Sequence, residues 1–422
     1  MNRLRAKKWM SGLLAVPVLL SSCSSDGPEI DDKTPNERTR IELTAQTRAA
    51  ATGLLDFYAR FTTDMTDYID GQAGEKNKNV VVSPLSAAIV FAMTANGVDE
   101  KSQKEYTEYL GVNDIESLND LCRVLLDRLP EADNTSLFNL ANSVWVNSGM
   151  GMTLNKDYSE RVSSKYDAEI RYQDFRDEAG TLEALNNWCA SNTGNRITSH
   201  FKEVNSGNLA ILINALYFKG KWHNEIFDAS RTKPETFHGL NGDSEVMMME
   251  SDFYEGTYAN DGEFEYLTLN FGNESYRLEI VLPASSDASR RSATGIDYKK
   301  IADLRRASYG TSVKAYIPKF KVEGQQNLNG MLEAIGKSPL LSFDMTMFTT
   351  PTGGSIRYMQ STFFSVDETG TEVAAVTSGE IDGAAFPTEV EQAIVHVDRP
   401  FYFFISEFST GACILSGRIA DL

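Results

Sequence analysis

The sequence predicts an α+β fold, with large antiparallel or mixed sheets built into a single domain. Two strongly helical segments come early in the chain, and strand-like segments dominate its second half. No regular alternation of strand and helix links them, so a purely parallel sheet is not expected. A continuous apolar run at residues 209–218 and a hairpin pattern near the C-terminus supply the buried sheet that this class requires.

The first helix is predicted over residues 45–69, where apolar side chains recur at the spacing of one helix face. A short buried strand follows at residues 80–82. It ends at Ser83-Pro84, a pair that favours the start of a helix. Residues 85–96 are almost entirely apolar, so we expect a helix buried on most of its faces and ended by Gly97.

A further helix is predicted over residues 181–191. The run LAILINALYF at residues 209–218 is rich in β-branched and aromatic side chains, which predicts a central strand buried on both faces. Two more strands are predicted at residues 275–282 and 313–322, the second around Pro318, and a helix at residues 326–335. Residues 401–405 and 413–415 are predicted to form a C-terminal hairpin.

The N-terminus has the pattern of a bacterial lipoprotein signal. Four basic residues precede a short apolar run, and Leu20-Ser21-Ser22-Cys23 then looks like a lipobox. We therefore expect a signal peptide at residues 1–22, lipidation of Cys23, a flexible tether at 23–44 and one domain at 45–422. An ordinary secretory signal is the alternative. We expect anchoring at the cell envelope, in the outer membrane. The acidic start of the tether resembles the surface-export signal of some Gram-negative bacteria, which would expose the protein at the cell surface, and a solvated linker is the alternative.

Composition narrows the functional classes. The formal net charge is −19, which disfavours nucleic acid and anionic membrane surfaces as partners. The four histidines lie in no HExxH or HxH pattern, and no nucleophile elbow, phosphate-binding loop or dinucleotide fingerprint occurs. We therefore expect no cofactor, no metal and no enzymatic activity. Besides Cys23, the cysteines are predicted to be buried free thiols: Cys122, Cys189 and Cys413.

Five motifs occur in register from about residue 50 to the C-terminus. They are NVVVSPLS at 79–86, NALYFKGKW at 214–222, IPKF at 317–320, VDETGTE at 366–372 and VHVDRPFYFFI at 395–405. Together they resemble the motifs of the serpin family of serine protease inhibitors.

This resemblance implies three β-sheets, about nine helices and an exposed reactive-centre loop that serves as protease bait. In inhibitory serpins, a target serine protease cleaves the loop and is trapped as a covalent acyl-enzyme. The cut loop then inserts as a new strand in the main sheet. The resemblance also implies a monomer that touches membranes only through its lipid. The segment that resembles the heparin-binding helix, residues 101–111, has only two basic residues, Lys101 and Lys104, and these are matched by Glu105 and Glu108. We therefore expect no heparin site.

A strand that inserts centrally must alternate in character, and the candidate loop does. The odd-numbered positions carry no charge: Thr371, Val373, Ala375, Thr377, Gly379, Ile381 and Gly383. Every charge falls on an even position: Glu372, Glu380 and Asp382. The alternation fails later, and Pro387 lacks the N–H that a central strand needs. The insertable part is therefore expected to stop before Pro387.

The resemblance assigns a hinge to Glu368, Gly370, Thr371, Glu372, Val373, Ala374 and Ala375, with Val373 where the family usually has Ala. Counting seventeen positions from Glu368 places the reactive bond at Ala384–Ala385. Counting back from the RPF motif gives Glu389–Val390 instead. We favour the first count because insertion length is set from the hinge, and Phe386 is the main rival for the cleaved position.

Ala at the cut suits elastase-like or subtilisin-like proteases, whereas Phe386 would suit a chymotrypsin-like protease. Trypsin-like targets are disfavoured because no Lys or Arg lies between Glu368 and His396. The alternatives are a papain-like target or a non-inhibitory surface binding protein. The family's sheet-opening polar cluster maps to Ser83, Ser86, Asn214 and Gln360. Two residues map to the end of the sheet where the loop enters: Trp222 and Lys319, of which Lys319 could pair with Glu368.

Overall fold

The computed structural model describes residues 34–284, 298–371 and 392–422. These ranges contain eight α-helices, α1 to α8: Ala45–Gly71, Pro84–Ala95, Glu100–Leu110, Ile115–Arg128, Lys156–Tyr166, Glu178–Asn192, Tyr298–Ala307 and Leu328–Ala334. Strands β1 to β9 are Val80–Val82, Ser136–Asn147, Glu169–Gln173, Ala210–Lys221, Lys233–His238, Asp243–Glu250, Tyr254–Asn260, Phe264–Phe271 and Tyr276–Pro283. Strands β10 to β18 are Tyr309–Pro318, Phe320–Asn327, Ser342–Met345, Thr352–Ser355, Met359–Val366, Gly370–Thr371, Gln392–His396, Phe401–Glu407 and Cys413–Ile419. None of the described helices is both long and apolar enough to cross a membrane.

Hydrogen bonding divides these strands into four sheets. Ten strands form one sheet in the order β1-β18-β17-β9-β8-β7-β10-β6-β5, with β16 bonded to β10. A second sheet has the order β15-β4-β2-β3, and the pairs β11–β14 and β12–β13 stand apart. The α+β class is confirmed. The described strands form four hydrogen-bonded sheets instead of the three expected, in part because no ladder joins β4 to β14.

The first two helices begin where their capping residues predict. The Thr44 side chain accepts a hydrogen bond from the backbone N–H of Thr47 at the start of α1. Ser83 caps α2 in the same way, accepting from the N–H of Ser86, and Pro84 occupies the first helical position. Almost every residue of α2 is buried, as its apolar composition predicts.

Two strand predictions need correction. Residues 313–322 are not one strand, because the chain leaves the ten-stranded sheet at the end of β10, passes through Lys319, and begins β11 in another sheet. The apolar run at 209–218 does form β4, but only one face is well covered. Its odd-numbered residues, such as Ile213 and Ala215, are buried, whereas the even-numbered Leu212 and Leu216 are only partly so.

The two faces of β4 belong to different apolar layers. Ile213 and Ala215 pack with Trp145 of β2 and with Leu185 and Trp188 of α6. The even-numbered side chains turn towards the large core, which is formed by α1, α2 and the ten-stranded sheet. Strand β4 therefore separates a small layer under α6 from the main core, and any strand added beside it would share both environments.

Residues 34–44, which fall within the predicted tether, lie against the domain in the structure. The Asn36 backbone N–H donates to Oδ1 of Asn134 at 3.0 Å, and Oδ1 of Asn36 accepts from the Asn134 N–H and from Nδ2 of Asn273, each at 3.0 Å. The Arg38 guanidinium stacks over the Phe408 ring, 4.8 Å from its centroid. The described part of the predicted tether therefore contacts the domain from Thr34 onward.

Candidate functional site

A cavity of about 800 Å³ separates β4 from β14 and is the candidate site. Its walls are residues 209–218, along β4, and 359–365, along β14, and the start of α2 closes its inner end. We call this space the central cavity. A strand edge normally bonds to a neighbour, and here two facing edges lack a mutual ladder. The arrangement therefore leaves room for one more strand.

The two walls present the same alternation. In β14, the even-numbered Gln360, Thr362 and Phe364 are buried, whereas the odd-numbered Ser361 and Phe363 are only partly buried. The even-numbered residues of β4 also face the main core. The central cavity thus has an inner side, lined by even-numbered residues of both strands, and an outer side lined by odd-numbered residues.

Three of the four residues predicted for the sheet-opening cluster meet at the inner end of the central cavity. The Ser83 backbone N–H donates to Oε1 of Gln360 at 2.8 Å, and Nε2 of Gln360 donates back to the Ser83 carbonyl at 2.8 Å. The Ser83 hydroxyl donates to the Ile414 carbonyl, and the Ser86 N–H reaches the Ser83 oxygen at 3.3 Å. This network joins the start of α2 to β14 and to β18.

The fourth residue, Asn214, lies on the opposite wall. Its Nδ2 donates to Oδ1 of Asn142 in β2 at 2.8 Å, and it makes no hydrogen bond to the other three among the described contacts. Its Oδ1 is buried and accepts no hydrogen bond within the described part of the chain. A buried amide oxygen without a donor is costly, so this atom would be stabilised by a donor placed in the cavity.

Three predicted residues, Trp222, Lys319 and Glu368, meet Thr232 and Asp367 at the other end of the cavity. We call these five residues the hinge anchor. The Trp222 indole N–H donates to the Asp367 carbonyl at 2.8 Å. The Lys319 ammonium lies 2.6 Å from the Glu368 carboxylate, which also accepts from the Thr232 hydroxyl at 2.7 Å. Burial opposes ionisation of Glu368, but these two donors prevail and lower its pKa.

The chain turns into the central cavity immediately after the hinge anchor. Strand β15 pairs antiparallel with β4, with Gly370 opposite Lys221 and Thr371 opposite Gly220. Gly370 has φ of 145°, and a Cβ on it would lie 2.0 Å from the Gly220 carbonyl oxygen, so only glycine fits. The remaining predicted residues lie outside the described ranges: Glu372, Val373, Ala374, Ala375, Ala384, Ala385, Phe386 and Cys23.

A segment that the sequence did not predict to be part of the site crosses the outer side of the central cavity. Residues 196–203, here called the bridging segment, connect α6 to the approach to β4. His200 Nδ1 lies 2.7 Å from the Ser361 hydroxyl of β14, and Nε2 of Gln325 in β11 donates to the His200 carbonyl at 2.8 Å. An exposed ion pair, Glu203 with Arg357 at 3.2 Å, ties the segment further.

Two more contacts fix the bridging segment. The Arg196 guanidinium lies 5.6 Å from the centroid of the Phe363 ring, on β14. On the α6 side, Asn186 accepts a hydrogen bond from the Phe201 N–H at 2.8 Å and donates to its carbonyl at 2.9 Å. The segment is therefore tied to β14 on one side of the cavity and to α6 on the other. No local sequence signal marks its contacts with β14, because those partners are more than a hundred positions away.

Burial lowers the pKa of His200 from 6.5 to about 4. A depressed histidine pKa means that the closed arrangement favours the neutral ring. The contribution of His200 to closure is therefore complete above pH 6.5 and declines as the pH falls towards 4.

We predict that lowering the pH from 7.5 to 5 increases opening of the bridging segment on the order of tenfold, because an opened His200 regains its ordinary pKa. Hydrogen exchange of the Phe201 amide, corrected for the intrinsic effect of pH, measures this opening. His200→Gln should abolish the pH dependence. His238→Gln, at an exposed histidine paired with Asp243, is the matched control and should preserve it. Equal behaviour of the two variants would contradict the assignment.

Comparisons with known proteins agree with this geometry. The family model described as Serpin (serine protease inhibitor) matches residues 57–422. An uncharacterized serpin-like protein of Thermococcus kodakarensis is 28% identical over 366 residues, covering 86% of this chain and 84% of that protein. Human neuroserpin is 23% identical over 364 residues, covering 82% of this chain and 87% of its own.

Solved structures give the same result. The native-state crystal structure of the thermophilic serpin tengpin has a TM-score of 0.74 and 26% sequence identity, covering 93% of this chain and 98% of tengpin. Thyroxine-binding globulin in complex with thyroxine shares the fold at a TM-score of 0.71 and 20% identity, covering 89% of this chain and 98% of its own. Because the family model spans most of the chain and the architecture matches throughout, the protein belongs to the serpin family.

Proposed function

We propose that this serpin is a suicide-substrate inhibitor of serine proteases with small or apolar specificity, of the elastase-like or subtilisin-like kind. The observation that carries the proposal is the central cavity, a strand-wide space beside β4 that the chain already begins to fill as β15. The proposal has three parts: the loop fits the space, cleavage releases it, and insertion traps the protease.

The fit follows from the hydrogen-bond registers at the hinge. On one side, Gly370 pairs with Lys221 of β4, and on the other, Gly370 pairs with Asp367 beside β14. Continuing both registers by seven residues brings Thr377 opposite Asn214 and Gln360 together. The Thr377 hydroxyl would then stand beside the Asn214 oxygen that lacks a donor in the described structure.

The same registers decide which face of the loop turns inward. Odd-numbered loop residues fall opposite even-numbered residues of both walls, and those face the inner side. The odd-numbered positions are the uncharged ones, whereas Glu372, Glu380 and Asp382 would emerge on the outer side. The alternation and the cavity thus agree, although each was obtained without the other.

The length also agrees. Strand β4 has 12 residues, so a partner from Gly370 to Ile381 would match it from end to end. Ala384 would lie three positions beyond, so cleavage at Ala384–Ala385 frees enough chain to fill the cavity. At roughly 1 kcal/mol net for each new backbone hydrogen bond, on both edges, insertion gains on the order of 10–20 kcal/mol before entropy. The uncut state is therefore held kinetically.

The trapping chemistry is an interrupted acyl transfer. The protease serine attacks the carbonyl carbon of Ala384, the bond to the Ala385 nitrogen breaks, and that amine leaves with a proton. The ester that remains links Ala384 to the protease. Insertion of Gly370 to Ile381 beside β4 would then carry the ester and the protease to the far end of the sheet before water can cleave the ester.

We predict that elastase forms an SDS-resistant complex with the protein and releases a fragment whose N-terminus is Ala385. A panel of elastase, subtilisin, chymotrypsin, trypsin and papain, with N-terminal sequencing of the released piece, tests this. A fragment that begins at Pro387 would move the reactive bond to Phe386. Clean cleavage without a complex or a gain in thermal stability would instead support the non-inhibitory alternative.

A matched pair of variants tests the inserted register. Thr377→Glu places a carboxylate on the inner face, where burial would disfavour it, so we expect a substrate that is cleaved without trapping the protease. Val376→Glu places the same charge on the outer face and should keep most of the inhibition. The measurement is the number of inhibitor molecules consumed for each protease inactivated. If both variants trap equally, the register is wrong.

We also propose that the protein is anchored through lipid on Cys23, a suggestion that rests on the leader sequence alone. In cells grown with radioactive palmitate, the natural protein should be labelled and remain with the membrane fraction. Cys23→Ser should lose the label and leave that fraction. A labelled Cys23→Ser protein would rule out this anchor.

A further inference from the structure

The outer face of β10 and β16 carries an exposed cluster of side chains that has no role in the proposed loop insertion. We call it the aromatic face, and it consists of Phe253, Lys314, Tyr316, Ile394 and His396. The Ile394 side chain is 58% exposed and Phe253 is 45% exposed, which makes them two of the most exposed large apolar residues described. The Tyr316 and His396 rings are stacked, with centroids 4.0 Å apart and planes 6° apart.

The charge on this face is neutralised locally. The Lys314 ammonium lies 2.6 Å from the Glu250 carboxylate, and it sits 5.9 Å and 5.6 Å from the centroids of the Phe253 and Tyr316 rings. The chain as a whole has a net charge of −19. A neutral, aromatic surface on such an acidic protein has the composition that favours contact with another protein.

We infer that the aromatic face is a docking surface for the protease that attacks the loop. Strand β16 begins at Gln392, seven residues after the proposed bond, and seven residues span at most about 25 Å. A catalytic domain of about 230 residues has a radius of gyration of about 17 Å. A protease that holds Ala384–Ala385 in its cleft would therefore have its surface within reach of β16. The part of the protease nearest β16 would be the side of the cleft that binds residues C-terminal to the cleaved bond.

The size of the aromatic face supports this occupant over a second copy of the chain. Stable protein–protein interfaces bury about 800 Å² on each partner. The five side chains expose much less, because Lys314 and Tyr316 are only partly exposed and His396 stacks on Tyr316. Such a surface cannot hold a partner alone, but it can add contacts to a complex that the loop already holds in the protease cleft. The inference rests on the proposed attack at the loop and does not require that the protease be trapped.

The test compares Phe253→Ala/Ile394→Ala with Met150→Ala, which removes a side chain that is 49% exposed and lies outside the aromatic face. The rate of loop cleavage or complex formation is measured with elastase, subtilisin and chymotrypsin, alongside cleavage of a synthetic peptide spanning residues 378–392. We expect the double variant to react about fivefold more slowly with at least one protease, with unchanged thermal stability. Met150→Ala should react at the rate of the unmodified protein. The unmodified protein should be cleaved faster than the peptide, and the double variant should lose this advantage.

Equal rates for the double variant and the unmodified protein would overturn the docking assignment. Faster attack on the double variant would show that the chain's own loop covers the face. A dimer in sedimentation that the double variant dissociates would assign the face to a second copy. A protein that resists every protease in the panel would overturn both this inference and the proposed function. Cleavage without trapping would overturn only inhibition, because the cleavage rate still reports docking.

Discussion

The facing edges of β4 and β14 have no mutual ladder among the described strands, and most of the features of the site follow from that single constraint. Because none of the described strands lies between them, the even-numbered side chains of β4 are only partly covered, although their composition suits a core. For the same reason, the buried Asn214 oxygen has no donor within the described ranges. A strand added in the right register would remove each of these costs. The stability that such a strand would add is therefore located in the space between β4 and β14.

The two ends of the central cavity control access to that stability in different ways. At the inner end, Gln360 is held by two hydrogen bonds to the Ser83 backbone, so β14 cannot separate further from α2 without breaking both. At the other end, the hinge anchor fixes the direction in which the chain leaves β14, and Gly370 allows a close approach to the Gly220 carbonyl. Gly370 and Thr371 therefore already lie in the register that the proposed insertion would continue.

The sequence predicted the parts of this arrangement that depend on local pattern. The start of α2 at Ser83-Pro84, the hairpin of β17 with β18, and the alternation of charge after Thr371 are all properties of neighbouring residues. It could not predict that β4 has an uncovered side, because a continuous apolar run has the same composition whether or not its neighbour strand is present.

Contacts between segments that are far apart in the chain also could not be predicted from the sequence. Asn214 was grouped with Ser83 and Gln360, yet it bonds to Asn142, since β2 and not β14 is the bonded neighbour of β4. The sequence did not indicate the bridging segment because His200 and Ser361 are 161 positions apart. A lone histidine in a polar stretch does not by itself predict a contact. These residues become functional candidates only when the fold places them on opposite sides of one cavity.

The position of the bridging segment divides the proposed insertion into two stages. In the register fixed by Gly370, residues up to Ala375 pass beside Ser365 and Phe363, whereas Val376 arrives opposite Ser361, the residue that His200 contacts. The first half of the loop can enter while the bridging segment stays closed, but the second half requires it to leave β14. Trapping depends on completing this second stage before water reaches the acyl ester. The contacts of His200, Arg196 and Glu203 therefore oppose inhibition, although they stabilise the uncut protein, and their strength has to remain below the gain from the ladder bonds that replace them.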